Sequence, residues 1–391
     1  MENGKVVEVV KKVNVLKVEL TKTFVQRENE VTAVLSGLLS GEPVILVGDP
    51  GTAKTALIER LAKMIDAKYF YYLLTRFTEP DELLGALDIN ALREGKYVRR
   101  TEGKLPEAEV AFLDEIFKAS SAIRNILLDI ILNKRIFSDG TYIQLPMLAL
   151  YTASNEISTD VEDMAFYDRM TIRDFVTYVG DESVIDLIKS AIMLEMTENN
   201  GGIKTIMSVE DVRLLQKLVS QRFYSLANNN TLLTKFSQAV IELKNKGIVL
   251  SDRRKVKVLK VASAISVVYA EDTVSLDSLA EALKFTAIHE PDDLEKVEQV
   301  IIKLGLSTFY KHVQELNTIK TELRNAIEAC KNGGVNEIKM LTNVYKQVVA
   351  KVSQLPKNPR FIPYVKELKN LVDEAKRVLD MRRKELFGDI E

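Results

Sequence analysis

Hydrophobic positions in the first part of the chain alternate between continuous runs and stripes with helical spacing. A stripe at residues 24–39 predicts a helix, and the apolar run at 44–47 predicts a buried strand. This alternation predicts a parallel sheet with helices on both faces, and a ligand site where the carboxyl ends of its strands meet. Further strand-like runs lie at residues 69–74, 110–113 and 147–154.

The pattern beyond residue 180 is helical and predicts an all-α region over residues 181–290. Pro291 then opens a tail of different composition, for which an antiparallel helical bundle over 291–391 is predicted. Residues 1–20, rich in Val and Lys, are expected to form an extra strand or an arm. The helical stripes of the tail lie at 294–327, 338–355 and 364–379, with breaks at Gly333-Gly334 and at 356–359.

The first predicted strand runs into a glycine-rich turn that ends in Lys54 and Thr55. This order is typical of a P-loop, in which backbone amides and a helix N-terminus face phosphate groups. Lys54 is expected to reach the β- and γ-phosphates, and the Thr55 hydroxyl to hold Mg²⁺. Ala53 stands where a glycine is usual and is interpreted as already helical. The predicted phosphate-binding residues are Gly48, Asp49, Pro50, Gly51, Thr52, Ala53, Lys54 and Thr55.

An acidic pair, Asp114 and Glu115, follows the strand-like run at 110–113. Taken alone, this pair is as consistent with two solvated surface carboxylates at the end of a core strand as with a Mg-nucleotide site. Together with a preceding P-loop it predicts a hydrolytic site. Asp114 is then a Mg²⁺ ligand acting through water, and Glu115 orients or deprotonates the attacking water.

Two further polar residues follow the strand-like run at 147–154. Asn155 is placed to contact the γ-phosphate and the water beside it, although an isolated Asn is most often a turn residue. Arg169 lies farther along the chain and either pairs with a surface carboxylate or, in a ring ATPase, serves a neighbouring subunit as an arginine finger.

These segments together resemble the MoxR branch of the AAA+ ATPases, most closely its RavA-type members. That branch tolerates alanine before the P-loop lysine, as at Ala53. The resemblance covers roughly residues 15 to 290. It rests on the segments 48–55, 75–85, 105–108, 112–119, 153–156, 167–170 and 251–254, which occur in the order and spacing of the family.

The resemblance implies an αβα nucleotide-binding core over residues 21–180, an all-α lid over 181–290 and a helical bundle beyond it. It implies ATP and Mg²⁺ as cofactors and a ring, expected to be a hexamer, that remodels or assembles protein clients. A protein with a von Willebrand factor A domain is the implied partner. Arg253 resembles the sensor-2 arginine that faces the γ-phosphate, with Arg254 as the alternative.

Two insertions interrupt the predicted core. Residues 89–105 resemble the helix-2 insertion, which projects toward the ring's pore in relatives. Asp139-Gly140 within residues 133–144 is a strong turn signal and predicts a β-hairpin. For both insertions a solvated loop and a substrate-handling role remain open.

Composition narrows the class of function. The 54 Lys and Arg nearly balance the 56 Asp and Glu, so no basic excess indicates nucleic acid as an obligatory partner. The single Cys330 excludes an intrachain disulfide framework and fits a reducing compartment. No apolar run approaches membrane-spanning length, and the N-terminus lacks the apolar core of a signal peptide. A cytoplasmic protein without a membrane span is therefore expected.

Two other functions remain open at this stage. One is a nucleic-acid-dependent motor, because related ATPases with a helix-2 insertion include replicative helicases. The other is a nucleotide-gated scaffold that binds ATP and scarcely hydrolyses it. The presence of Glu115, Asn155 and Arg169 favours hydrolysis over the scaffold.

Overall fold

A computed structural model describes residues 2–157, 160–199, 202–355 and 359–387. The chain divides into two compact units, Met1–Val300 and Ile301–Glu391. We call them the N-terminal unit and the C-terminal unit, and each is described by itself.

A parallel sheet forms the centre of the N-terminal unit. Among the described residues it has five strands in the order β2-β3-β6-β1-β7. Its central strands are apolar and buried, because helices cover both of their faces. The expected doubly covered parallel sheet is confirmed. The strands are β1 Val44–Gly48, β2 Tyr69–Leu73, β3 Val110–Asp114, β6 Ala149–Ser154 and β7 Ile172–Val176.

The two remaining strands, β4 Arg135–Ser138 and β5 Thr141–Gln144, pair antiparallel. Asp139 and Gly140 at their turn have φ angles of 47° and 76°. Two successive positive φ angles match the twist of the flanking strands, as in two-residue hairpin turns. The predicted hairpin is confirmed.

Helices surround the sheet and continue beyond it. The segment 181–290 is helical where the structure describes it, as expected. The helices of this unit are α1 Glu2–Thr23, α2 Glu28–Ser40, α3 Lys54–Met64, α4 Pro80–Leu84, α5 Ile89–Arg93, α6 Ser121–Asn133, α7 Val161–Tyr167, α8 Val184–Asn199, α9 Val209–Ser225, α10 Asn230–Asn245, α11 Asp252–Val268 and α12 Leu276–Thr286, with α13 Asp293–Lys303 spanning the boundary between the units.

The N-terminal segment differs from the expectation of a strand or an arm, because α1 is a helix. Its buried residues Val9, Val13, Leu16 and Leu20 recur every three to four positions and so form one face. That face packs against α2, α9 and α11. The helical recurrence of the buried residues and this packing explain why the segment is a helix and not the expected strand or arm.

The C-terminal unit contains α14 Thr308–Asn332, α15 Val335–Ser353 and α16 Ile362–Phe387, which pack pairwise on one another. The predicted first stripe is divided, because Gly305 has a φ of 57° and Ser307 caps α14 by accepting from the Tyr310 amide. The predicted break at 356–359 lies largely outside the described residues. No helix in the described ranges is long and apolar enough to cross a membrane.

Candidate functional site

The loop between β1 and α3 has a backbone shaped to receive phosphate. A Cβ added at Gly48 would lie 2.0 Å from the carbonyl oxygen of Val176, so the strand can leave the sheet there only with glycine. Within the described ranges, the amides of Gly51, Thr52 and Ala53 donate to no other protein group. They lie just before the N-terminus of α3, where amides and the helix dipole together favour anions. Phosphate groups therefore fit this loop.

Ala53 is not helical, which corrects the interpretation from sequence. It is the N-cap residue of α3 and has φ 63° and ψ 21°, in the left-handed region. A residue with a Cβ is strained in that conformation by roughly 1–2 kcal/mol. The glycine usual at this position would avoid the strain.

The Lys54 side chain lies over the loop with 9% of its surface exposed. Its ammonium donates to the carbonyl oxygens of Gly48 and Asp49, at 2.7 and 2.9 Å. Burial lowers the pKa of Lys54, and the charges of Asp114 and Glu115 act in the opposite direction. Thr55 follows in the first turn of α3 and is half-buried. The cation and a hydroxyl thus lie together at the end of β1.

Asp114 and Glu115 lie at the carboxyl end of β3. Asp114 accepts a hydrogen bond of 2.9 Å from the Glu115 amide. Burial and then the neighbouring Glu115 charge raise the pKa of Asp114, although this hydrogen bond opposes the shift. Glu115 has φ 56° and ψ 47°, a left-handed conformation that is rare for a residue with a side chain. Strain of this kind, about 1–3 kcal/mol, is found mainly at functional sites.

Asn155 contacts the predicted catalytic carboxylate directly. Its Nδ2 donates to Oε1 of Glu115 at 2.6 Å, and the Lys118 ammonium lies 3.2 Å from the same oxygen. The contact follows from the sheet order, because β6 lies between β1 and β3 and pairs parallel with both. Lys54, Asp114 and Asn155 therefore stand at neighbouring strand ends. A P-loop hydroxyl and an acidic oxygen are also the ligands that Mg²⁺ prefers, so the donor set fits this ion.

The two arginines that were predicted to act on ATP, Arg169 and Arg253, do not lie at the P-loop. Arg169 and Arg253 line one pocket, together with Pro43 and Thr171, which immediately precede β1 and β7. This pocket is therefore at the amino edge of the parallel sheet, whereas the P-loop is at the carboxyl edge. The length of β1 separates the two edges, about 15 Å at ~3.3 Å per residue. The structure does not bring either arginine to the P-loop of the same chain.

The two adjacent arginines of α11 differ in their surroundings. Arg253 is exposed, whereas only 2% of Arg254 is. Ser251 caps the helix as expected, accepting from the Arg254 amide at 3.3 Å. The Arg254 guanidinium donates to Asp168 Oδ1 at 3.2 Å and to the carbonyl oxygens of residues 168, 170, 171 and 286. Asp168 and these carbonyls compensate the charge of Arg254, so no anionic ligand is needed for it.

Two charged residues at the amino edge of the sheet, Glu42 and Arg173, are buried, and the sequence did not predict their contacts. Glu42 accepts from the Thr171 hydroxyl and from the ammonium groups of Lys257 and Lys260. Burial alone would raise the pKa of Glu42, but the two ammonium groups lower it below the ordinary value. Arg173 is fully buried, and its Nη1 lies 2.9 Å from Nδ1 of His289. The side-chain partners named here, Thr171, Lys257 and Lys260 for Glu42 and His289 for Arg173, are remote in sequence, so no local motif could have indicated these contacts.

Comparison with known proteins shows which family the chain belongs to. Residues 11–217 match the family described as the MoxR domain in the MoxR-vWA-beta-propeller ternary systems. The chain belongs to the MoxR family of AAA+ ATPases. An uncharacterised protein of Methanocaldococcus jannaschii is 34% identical over 370 residues, covering 93% of this chain and 92% of the relative.

A second relative of this MoxR-family chain is the chaperone MoxR1 of Mycobacterium tuberculosis. It is 24% identical over 212 residues, covering 52% of this chain and 53% of that protein. The crystal structure of a proposed ATPase from Cytophaga hutchinsonii has a TM-score of 0.59 at 18% identity, covering 77% of this chain and 96% of the other. The structural likeness supports the AAA+ fold, and the relatives support a MoxR-type chaperone family. RavA-type membership is not distinguished by these comparisons.

The segment 89–105 and the β4–β5 hairpin contact each other. The Tyr97 amide donates to Asp139 Oδ1 at 3.0 Å, which joins the 89–105 segment to the hairpin turn. Large apolar side chains are exposed on both, with Tyr97 52%, Phe137 64% and Tyr142 57% exposed. The two segments therefore share a surface with several exposed aromatic rings.

Proposed function

We propose that this chain is a motor subunit that hydrolyses ATP in a ring, taken to be hexameric, and uses the energy to remodel or assemble protein clients. The observation that carries the proposal is the position of Arg169 and the P-loop at opposite edges of the sheet, which are separated by the length of β1. A site that needs both an intact P-loop and an arginine must then be completed by a second copy.

Nucleotide binding is assigned to the P-loop, residues 48–55. The amides of Gly51, Thr52 and Ala53 would donate to phosphate oxygens. The Lys54 ammonium would exchange its present carbonyl partners for the β- and γ-phosphates. Thr55 and Asp114 would hold Mg²⁺, which neutralises phosphate charge during transfer.

Glu115 is assigned as the residue that orients the attacking water. Its carboxylate accepts from Asn155, so its position depends on the amide at the end of the next strand. A carboxylate takes a proton from water most efficiently when its oxygen is held within hydrogen-bond reach of that water. Asn155 is therefore proposed as both a γ-phosphate contact and the residue that positions Glu115.

Arg169 is assigned as an arginine finger that acts on the nucleotide of the neighbouring subunit. Its Nε has no hydrogen-bond partner in the described part of the chain, although the atom is buried. An anionic ligand would satisfy this donor. Arg253, which lines the same pocket and is exposed, is proposed as a second arginine acting on that nucleotide. Arg254 is occupied by Asp168 and backbone carbonyls and is not assigned to ATP.

Client handling is assigned to the exposed aromatic surface that carries Tyr97, Phe137 and Tyr142. Exposed aromatic rings can hold an unfolded or loosely folded polypeptide without reading its sequence. The family description names von Willebrand factor A domains, which supports such a protein as partner. We further propose a RavA-type bundle in the C-terminal unit, a lid role for residues 181–290 and a cytoplasmic location, which suits the single buried Cys330.

A dilution experiment tests this function. Phosphate release per chain should fall steeply when the protein is diluted below its assembly range, while binding of a slowly hydrolysed ATP analogue persists. Light scattering would follow assembly in the same samples. Turnover per chain that stays constant in verified monomers would contradict the shared site.

The same assay separates the other functions. Stimulation by DNA or RNA should be negligible at physiological salt, since non-specific affinity requires clustered cations that release counterions. Several-fold stimulation would favour the nucleic-acid motor. Tight analogue binding with no phosphate release at any concentration would favour the scaffold.

A further inference from the structure

Strand β2 ends the sheet on one side, and within the described ranges it pairs only with β3. The Leu74 amide donates to the carbonyl oxygen of Asp114, and the carbonyl oxygen of Lys68 accepts from the start of β3. Backbone groups alternate in direction along a strand, so those of residues 68, 70, 72 and 74 face β3. The other row, which we call the β2 edge, faces outward and consists of the N–H and C=O groups of Tyr69, Tyr71 and Leu73.

The β2 edge lacks the devices that normally keep a sheet edge from further pairing. Such edges carry charged residues or proline, or another element covers them. Strand β2 reads Tyr-Phe-Tyr-Tyr-Leu and contains neither a charge nor a proline. Tyr71 is 42% and Leu73 50% exposed, and no other backbone group of the described ranges bonds to the edge. The edge is therefore open and apolar, as expected of a strand that receives a partner.

The chemistry of the β2 edge specifies its ligand. Three N–H donors and three C=O acceptors alternate over about 13 Å, at ~3.3 Å per residue. A ligand that satisfies all of them must present complementary donors and acceptors at the same spacing. An extended polypeptide does so by adding a strand to the sheet. A phosphate backbone carries no N–H donors, so nucleic acid does not match the row.

A second copy of this chain is a poorer match than another protein. Two β2 edges could pair with each other, but a contact between identical surfaces closes after two copies. The proposed ring needs a head-to-tail contact, between two different surfaces of identical chains. The strand at the other end of the sheet, β7, is buried at four of its five residues and so cannot receive the β2 edge of a neighbour.

We propose that the β2 edge binds an extended, uncharged segment of a protein client, which adds a strand to the sheet. The inference rests on the proposed function for the identity of the occupant as a client. Main-chain hydrogen bonds supply affinity that does not depend on sequence, and the exposed Tyr71 and Leu73 favour apolar residues at every second position of the segment. The Leu74 amide joins the end of β2 to Asp114, so the bound segment lies one strand away from the strand that carries the predicted Mg²⁺ ligand.

A short peptide probes the β2 edge. It alternates Thr and Val and carries an Asp at each end, because the exposed Lys68 and Arg76 flank β2. Labelled with a fluorophore, it should bind the full-length protein, as measured by fluorescence anisotropy. The same peptide with Pro at its two central positions should not bind, since Pro cannot donate to a ladder. Equal binding of the two peptides, or no binding of either, would overturn the proposal.

Substitutions at one position separate the backbone from the side chain. Tyr71→Pro removes one outward N–H and should weaken binding of the Thr-Val peptide about tenfold, because a peptide carbonyl loses its donor. Proline is tolerated on an edge strand where its nitrogen faces solvent. Tyr71→Thr is the matched control, since it loses the same ring, keeps the N–H and should retain most of the binding. If Tyr71→Pro does not fold, Leu73→Pro and Leu73→Thr give the same comparison. Equal losses in the Pro and Thr variants would overturn the proposal.

Hydrogen exchange shows which backbone groups the peptide covers. The amides of Tyr69, Tyr71 and Leu73 should exchange rapidly in the free protein and slowly with the peptide bound. Those of Phe70 and Tyr72, which face β3, should be slow in both states. Outward amides that stay unprotected with the peptide bound would contradict the proposal. Outward amides already protected in the assembled protein without peptide would show that another copy covers the edge, and would also overturn it.

The two proposals can fail separately. If the peptide does not bind while Arg169→Ala abolishes turnover and is rescued in mixed assemblies, the inference about the β2 edge is wrong and the proposed function stands. If the peptide protects the outward amides while Arg169→Ala turns over like the parent, the proposed shared site is wrong and the strand-binding edge stands.

Discussion

The amide of Asn155 donates to the carboxylate of Glu115 at 2.6 Å, joining the carboxyl ends of two neighbouring strands. Glu115 itself stands in a left-handed backbone conformation at the end of β3. Two independent constraints, the backbone turn and the amide, therefore hold the carboxylate. Such double support is what a group that orients a water molecule requires.

The first prediction separates binding from hydrolysis. Glu115→Gln should retain ATP and slow hydrolysis by about 10²–10⁴-fold, the usual contribution of a general base. Asn155→Ala should cost about ten- to a hundredfold, because a hydrogen bond to a charged group contributes roughly 1.5–3 kcal/mol. Binding of a slowly hydrolysed ATP analogue measures the binding step, and phosphate release measures hydrolysis. Lys54→Ala serves as the comparison variant, because it should lose tight binding of the analogue. Parental turnover by Glu115→Gln would refute the assignment of that carboxylate.

The second prediction concerns the strain at Ala53. Ala53→Gly should raise the free energy of unfolding by up to about 1 kcal/mol, because glycine adopts positive φ without a steric cost. The control is Ala56→Gly in the first turn of α3, a helical position, which should lower the free energy of unfolding by up to about 1 kcal/mol. Thermal or urea unfolding of both variants measures the difference. Equal destabilisation by the two substitutions would show that Ala53 is not strained.

The third prediction concerns acid stability. Burial and then the charges of Arg173 and Arg254 lower the pKa of His289 to about 4. Between an unfolded pKa of about 6.5 and this folded value, the unfolded chain binds a proton that the native chain does not. The free energy of unfolding should therefore fall as pH is lowered from about 6.5 toward 4.

His289→Gln should flatten this dependence, since Gln keeps an acceptor for Arg173 and cannot titrate. His312→Gln, which changes the other histidine of the chain, should retain the acid sensitivity of the parent. Urea unfolding at pH 7, 6 and 5 provides the measurement. An unchanged slope in His289→Gln would exclude His289 as its source.

Much of the fold was predictable because its signals are local. Apolar runs ending in glycine or acidic residues indicated strands β1 and β3, and Asp139-Gly140 indicated the hairpin. The sheet then brings the ends of β1, β3 and β6 together, as expected of parallel strands.

The remainder depends on contacts between distant segments. The prediction of a strand or an arm for the N-terminal segment was wrong, because the segment forms a helix whose apolar face packs on the distant α2, α9 and α11. Arg254 looked like a candidate for ATP because its partners, the carbonyls of residues 168, 170, 171 and 286, cannot be inferred from neighbouring sequence. The location of Arg169 and Arg253 at the amino edge likewise required the three-dimensional order of the strands.

Complementation between inactive variants tests the shared site most directly. Arg169→Ala should bind ATP almost normally and lose hydrolysis by about 10³–10⁵-fold, the contribution of an arginine finger. Lys54→Ala should be inactive because it does not bind ATP tightly. In a random equimolar mixture, roughly a quarter of head-to-tail contacts pair an intact P-loop with an intact Arg169. Phosphate release should therefore return to a comparable fraction of the parental rate, whereas its complete absence in verified mixed assemblies would contradict the account.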